Sequence, residues 1–205
     1  MASRKQNGFS LLELMITVVL ILTMTAVTFI TLLPTFNRAH LENSYSTSLM
    51  ALRNTRNLAI AQSHEYYVVF NPLGFPAGTI LIQYQPPPVG GIAQPLQQVI
   101  TYSIPPDIAF NVRAGFPAPP DGFGAGIVPI DFGQNLGAGN LNYVVFMPDG
   151  SSRDNLGNYN SGVVYLTRAS DSIYSSRAIT VWGATGRVRG WRLDQKAGAP
   201  IWEQE

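Results

Sequence analysis

Cysteine is missing from the chain altogether, charged side chains make up only 12% of it, and histidine occurs twice. The first absence removes any disulfide framework, thiolate metal site or cysteine nucleophile. It does not fix the compartment, because an envelope protein can do without bridges. Positive and negative side chains nearly cancel, 13 against 12, for a formal net charge of +1. Bulk electrostatics therefore argue neither for nor against a polyanionic partner, and any such case rests on local clustering. His40 and His64 stand without companions at metal-ligand spacing and read as solvated or helix-end side chains. There is no HExxH, no P-loop and no G-x-S-x-G element. Catalysis has no constellation to work with, so the chain does not read as an enzyme and implies no cofactor and no metal.

Glycine (19) and proline (15) are plentiful, which suits a loop-rich β domain better than a helix bundle. The other abundant feature is one apolar run, Phe9 to Leu33. A helix of roughly 25 residues reaches about 37 Å, enough to cross a hydrocarbon core of about 30 Å with tilt. Its single ionisable side chain is Glu13. A carboxylate at mid-bilayer costs roughly 2.5–3.5 kcal/mol on insertion scales, so Glu13 needs a partner. Nothing else in the run can serve; the partner has to come from a chain end or another molecule. Arg4 and Lys5 precede the run without an acid, which keeps the N-terminus cytoplasmic and sends the domain across. The run is longer than a secretory signal core, and Thr31-Leu32-Leu33-Pro34 has no small-residue cleavage pattern, so the anchor reads as retained.

At Gly8-Phe9-Ser10-Leu11-Leu12-Glu13 the sequence resembles the class III signal of type IV pilins and type II secretion pseudopilins. The resemblance implies a leader over residues 1–8, cut after Gly8 on the cytoplasmic side by a prepilin peptidase, which then methylates the new amine of Phe9. It also supplies the missing partner. In assembled filaments of this family the acid matching Glu13 pairs with the N-terminal amine of a neighbouring subunit. Removing one member of a buried pair typically costs about 3–5 kcal/mol, so Glu13 would act as a registry device. Many members carry a proline where this chain has Ile30; here the nearest is Pro34, which either displaces the kink or marks the membrane boundary.

Residues 9–33 are thus expected to form a transmembrane helix, with an amphipathic continuation over 34–63. Leu41, Tyr45, Leu49, Leu52, Ala59 and Ile60 give that continuation one apolar face. Arg53 and Arg56 fall in its last turns, where cations suit the helix dipole. The β-branched and aromatic run Glu65–Phe70 predicts a first strand, and further strands are expected at 79–84, 97–103, 108–112, 141–147, 162–168, 177–182 and 187–193. Prolines and glycines crowd the region 72–139, and 114–139 is expected to be mostly loop without chemistry, its Phe116, Phe123 and Phe132 free to dock on the sheet. A long helix followed by consecutive short strands predicts an α+β fold with an antiparallel sheet over 64–205. Three elements extend the resemblance to the GspH/FimT branch: Arg53-Asn-Thr-Arg56 before Ala59-Ile60, the Phe146-x-Pro148-x-Gly150 turn, and Arg177-Ala-Ile-Thr-Val181 followed by Gly186-Arg187-Val188. The resemblance implies a pilin-like minor subunit of the inner membrane, assembled with other pseudopilins or pilins through its helix.

Two polar clusters remain. Asp149 to Asn158 is rich in oxygen side chains that suit calcium, but its spacing is not that of an EF-hand and Arg153 sits in its midst; a polar turn is the simpler reading. In Gly186-Arg187-Val188-Arg189, with Arg192 close behind, alternation puts Arg187 and Arg189 on one strand face about 6.6–6.8 Å apart. They could clamp successive phosphates of DNA, with Trp191 stacking on a base. The simpler reading is a hairpin whose arginines are the solvated face while Val188 packs inward and Trp191 fills the core, since Asp194 dilutes the charge and the chain as a whole is nearly neutral. A G-R-x-R element resembles the one used by FimT-type minor pilins that take up DNA in natural transformation.

Overall fold

The computed structural model describes residues 10–124, 126–133, 141–154 and 156–205, and the chain divides into two units, Met1–Ala39 and His40–Glu205. One helix, α1 (Leu11–Gln62), begins in the first and ends in the second. Its Leu11–Phe29 stretch has a mean hydropathy of 2.2 and no buried side chain, which makes it long and apolar enough to cross a membrane. The threonines there satisfy their own hydroxyls: Thr17 donates to the Leu14 carbonyl (2.9 Å), Thr23 to Leu20 (2.9 Å), Thr25 to Ile21 (2.7 Å) and Thr28 to Met24 (2.8 Å). Such back-bonding removes the cost of a hydroxyl in a medium without water. The helix runs on through Pro34, so that proline does not end it. It stops where Ser63 takes a left-handed φ of 56°, the usual way a helix reverses.

The second unit is built from two antiparallel sheets. The first contains β1 (Tyr66–Phe70), β2 (Thr79–Tyr84), β3 (Gln97–Ser103), β6 (Tyr143–Phe146) and β7 (Ser152–Arg153) in the order β3-β2-β1-β6-β7. The second contains β4 (Ile108–Phe110), β8 (Gly162–Arg168), β9 (Arg177–Trp182), β10 (Arg187–Lys196) and β11 (Ala199–Gln204) in the order β11-β10-β9-β8-β4, and β5 (Ile130–Phe132) also pairs with β8. This is the α+β, pilin-like arrangement expected, with one difference: the strands form two sheets rather than one.

Both sheets and α1 share the main core, in which Leu52, Ala59, Phe70, Ile82, Phe146, Val164 and Ile179 are buried. The helix face that enters it is Leu41, Ser44, Tyr45, Ser48, Ala51, Leu52, Thr55 and Ala59. Its hydroxyls bond back into the helix, Ser44 to His40, Ser48 to Ser44 and Thr55 to Ala51 at 2.6–2.8 Å. Ile60, expected on this face, is 43% exposed, and Leu49 is only partly covered. Near the start of this stretch His40 Nδ1 lies 3.1 Å from Asp107, which Arg168 also reaches at 3.0 Å. Burial pushes the Asp107 carboxyl up, but the His40 hydrogen bond, a backbone bond and the charges of His40 and Arg168 hold it below the usual carboxylate range.

The Pro/Gly-rich segment does more than the expectation allowed. Within 114–139, Ile130–Phe132 is a strand, and Phe116 covers the outer face of the second sheet among Tyr165, Trp191, Leu193 and Trp202. Phe116 meets Trp202 edge-on at 5.6 Å, and the Trp202 indole N–H donates to the Pro117 carbonyl at 2.7 Å. Phe123 and Phe132 are buried as well. With both faces covered, β8 is buried along nearly its whole length, as its continuous apolar reading requires. Residues 134–140 lie outside the described residues. At the other end, β10 runs three residues past the expected Leu193 and turns through Ala197 and Gly198, both at positive φ, into β11, which was not expected. The strands expected at 108–112 and 141–147 are shorter, 108–110 and 143–146. Replacing Phe116 by Ala should lower the thermal unfolding midpoint by about 6–12 °C while leaving the far-ultraviolet spectrum intact. An unchanged midpoint would mean the loop is not part of the core.

Candidate functional site

Two places carry the sequence's candidate residues. The first is the start of α1. Leu14 N–H donates to the Ser10 carbonyl at 3.1 Å, opening the helix. Glu13 follows in the first turn, on an exposed surface, and is the one ionisable residue in Leu11–Phe29. No described residue of the chain pairs with it. Gly8 and Phe9, the expected cleavage and methylation positions, lie outside the described residues, as does the rest of the 1–8 leader.

The second place is the β9–β10 hairpin. Its register sets Arg187 opposite Trp182, Val188 opposite Val181 and Arg189 opposite Thr180. Arg187, Arg189, Trp182 and Thr180 therefore share a face, whereas Val188 points into the main core. The four residues Gly186-Arg187-Val188-Arg189 have four different duties. Gly186 sits at φ +59°, and a Cβ there would collide with the Gly150 carbonyl. Arg187 is exposed and unpaired among the described residues. Arg189 forms an ion pair with Asp121, whose carboxylate is almost wholly buried. Thr180 donates to the same Asp121 at 2.6 Å and accepts from the Trp191 indole N–H at 2.8 Å. Trp191 is thereby a core residue, not a stacking platform. Arg192 is exposed but falls on the opposite face by alternation, away from Arg187 and Arg189.

The end of α1 completes the picture. Arg56 donates to the Gly150 carbonyl at 3.1 Å and to the Thr185 carbonyl at 3.0 Å, joining the helix to the turn after β6 and to the turn between β9 and β10. Sequence reading assigned Arg53 and Arg56 to the helix dipole; the structure gives Arg56 carbonyl partners far along the chain. Together these elements enclose a cleft of about 730 Å³, lined by Arg53, Arg56, Asp121, Trp182, Arg187 and Arg189 among others. Sequence reasoning had the hairpin arginines but missed Arg53 and Asp121 as their neighbours, because nothing local signals that residues 53, 121 and 187 line one cleft.

The Asp149–Asn158 segment closes on itself. Asp149 accepts from Ser151 N–H at 2.8 Å and from Arg153 at 3.2 Å. Hydrogen bonds from Ser151, then the Arg153 contact, hold the Asp149 carboxyl below its ordinary value. Asp154 accepts from the Leu156 and Asn158 N–H groups at 3.0 and 2.7 Å, and Arg153 lies 5.1 Å from the Tyr159 ring centre. These contacts are those of a polar turn; Asn155 lies outside the described residues.

Residues 3–29 match the family model described as the prokaryotic N-terminal methylation motif. No curated protein and no solved structure matches the chain. The motif supports a type IV pilin-like protein and implies processing by a prepilin peptidase and assembly with other pilins. With the apolar Leu11–Phe29 stretch it is compatible with a single-pass inner-membrane protein. For the hairpin, Gly186→Ala should cost about 1–3 kcal/mol by forcing a side chain into the left-handed region against the Gly150 carbonyl. Denaturant titration of the micelle-held chain checks it; wild-type stability would contradict the turn geometry.

Proposed function

We propose that the chain is a minor pseudopilin, a structural subunit of the short pseudopilus with which a type II secretion machine moves folded proteins across the outer membrane. Its N-terminus would be cytoplasmic and its β-rich unit periplasmic, with the apolar stretch of α1 in the inner membrane. The observation that carries this reading is the methylation motif at residues 3–29 in series with the exposed apolar stretch Leu11–Phe29. On this reading Gly8 is the cleavage residue, Phe9 the methylated one, and Glu13 the assembly contact that meets a neighbour's new amine. The chain is the substrate of the peptidase and catalyses nothing itself.

The same anchor logic serves type IV pilus minor pilins, and a FimT-type subunit would capture DNA through Arg187, Arg189 and Arg192. The pairing of Arg189 with Asp121 and the opposite facing of Arg192 leave that reading a single free arginine on the Arg187 face of the hairpin. The pseudopilin reading is therefore preferred.

Exchange of Gly8 for Ala or a bulkier residue should leave the leader attached, read as an intact mass larger by the eight leader residues; a normally processed mass would remove the cleavage assignment. Glu13→Ala should be processed and inserted yet enter filaments poorly beside wild type. Equal incorporation would dismiss the registry role.

A further inference from the structure

Among the four arginines of the cleft, two are already engaged. Arg56 is bound to the Gly150 and Thr185 carbonyls, and Arg189 to Asp121. Arg53 and Arg187 are exposed and have no acid among the described residues. At the end of β9, opposite Arg187, stands Trp182, 45% exposed, with its ring held edge-on by Phe123 at 5.2 Å. Trp191 and Trp202, by contrast, are at most 5% exposed. An indole left open to water next to unpaired guanidinium groups has the composition of an interface hot spot, where Trp and Arg are over-represented.

We propose that this cleft docks an acidic segment of a partner protein, with an aromatic or aliphatic side chain beside its carboxylates. Guanidinium groups match carboxylates in a planar, two-bond geometry, and Arg53 and Arg187 supply two such groups from different elements. Trp182 supplies the apolar surface for the neighbouring side chain. Size and charge favour a short peptide over a nucleic-acid strand. The cleft holds about 730 Å³, the range of a pocket that swallows a few side chains. A polynucleotide needs cations that continue along its backbone. Here Asp121 neutralises Arg189, Arg192 faces the other way, and the whole chain carries only +1. The contact is separate from Glu13 and would operate whether or not the helix pairing proposed above is correct.

The test uses the full chain in neutral detergent against an array of random heptapeptides, followed by titration of selected peptides that lack Trp, with the tryptophan emission compared between the chain and its Trp182→Phe variant. Selected peptides should be rich in Asp or Glu next to Phe, Tyr, Trp or Leu, and their Asn/Gln counterparts should bind about tenfold more weakly. Arg53→Ala and Arg187→Ala should each weaken the acidic peptides by about tenfold. Both side chains are exposed, so an unchanged thermal midpoint will show that the fold is kept. No acidic selection, or equal binding by the double variant, overturns the proposal. A single-stranded oligonucleotide that binds more tightly than any peptide, and loses binding with Arg53 and Arg187, also overturns it in favour of nucleic acid.

Discussion

The close approach of α1 to the two sheets sets the geometry of the His40–Glu205 unit. Ser48, Ala51, Leu52, Thr55 and Ala59 are at or near zero exposure along one helix face, and the small ones among them leave little distance between helix and strands. Their hydroxyls cost nothing inside because each is bonded to the carbonyl one turn back. The approach reaches its limit at Tyr45, whose ring lies where a Cβ on Gly190 would have to go. A glycine in the middle of a ten-residue strand is unfavourable for the strand by itself; here it is the space into which the helix side chain fits. Tyr45 is consequently desolvated, and burial together with Glu205 and Glu42 raises its phenol well above the ordinary value despite the nearby Arg177.

The same approach brings the cleft together. Arg56 reaches two turns because the helix lies close to both, and the glycines of those turns, Gly150 and Gly186, both at positive φ, leave room for the two turns to touch and for Ile60 and the guanidinium beside them. A motif that reads as two arginines on a strand thus divides into a turn residue, a core residue, a paired cation and a free one. Its ligand-facing part is smaller than the motif, and it is completed by Arg53 and Trp182 from outside it.

Most of the regular structure was legible in the sequence. Strands 79–84, 97–103, 162–168 and 177–182 stand where alternation and β-branching put them, and the helix ends one residue before the expected position. The misses have physical causes. Ser44, Ser48 and Thr55 read as polar, although a helix can satisfy a hydroxyl internally and bury it. Ile130–Phe132 was hidden among prolines and glycines, and its strand character comes from pairing with β8 rather than from local propensity. β11 follows a tight Ala197-Gly198 turn and contains Pro200, so neither turn nor strand gave its usual signal. The partner of Arg189 was out of reach for the same reason as the second sheet's cover: Asp121 and Phe116 come from a loop, and the side chains they meet, Thr180, Arg189 and Trp202, are distant in sequence.

One guanidinium, that of Arg56, is bonded at once to a turn of the first sheet and to a turn of the second. Lifting that part of the helix from either sheet, or sliding one sheet past the other at that corner, costs at least one of these charge-assisted hydrogen bonds. The mouth of the cleft is thus braced from the helix, by a side chain that belongs to neither sheet.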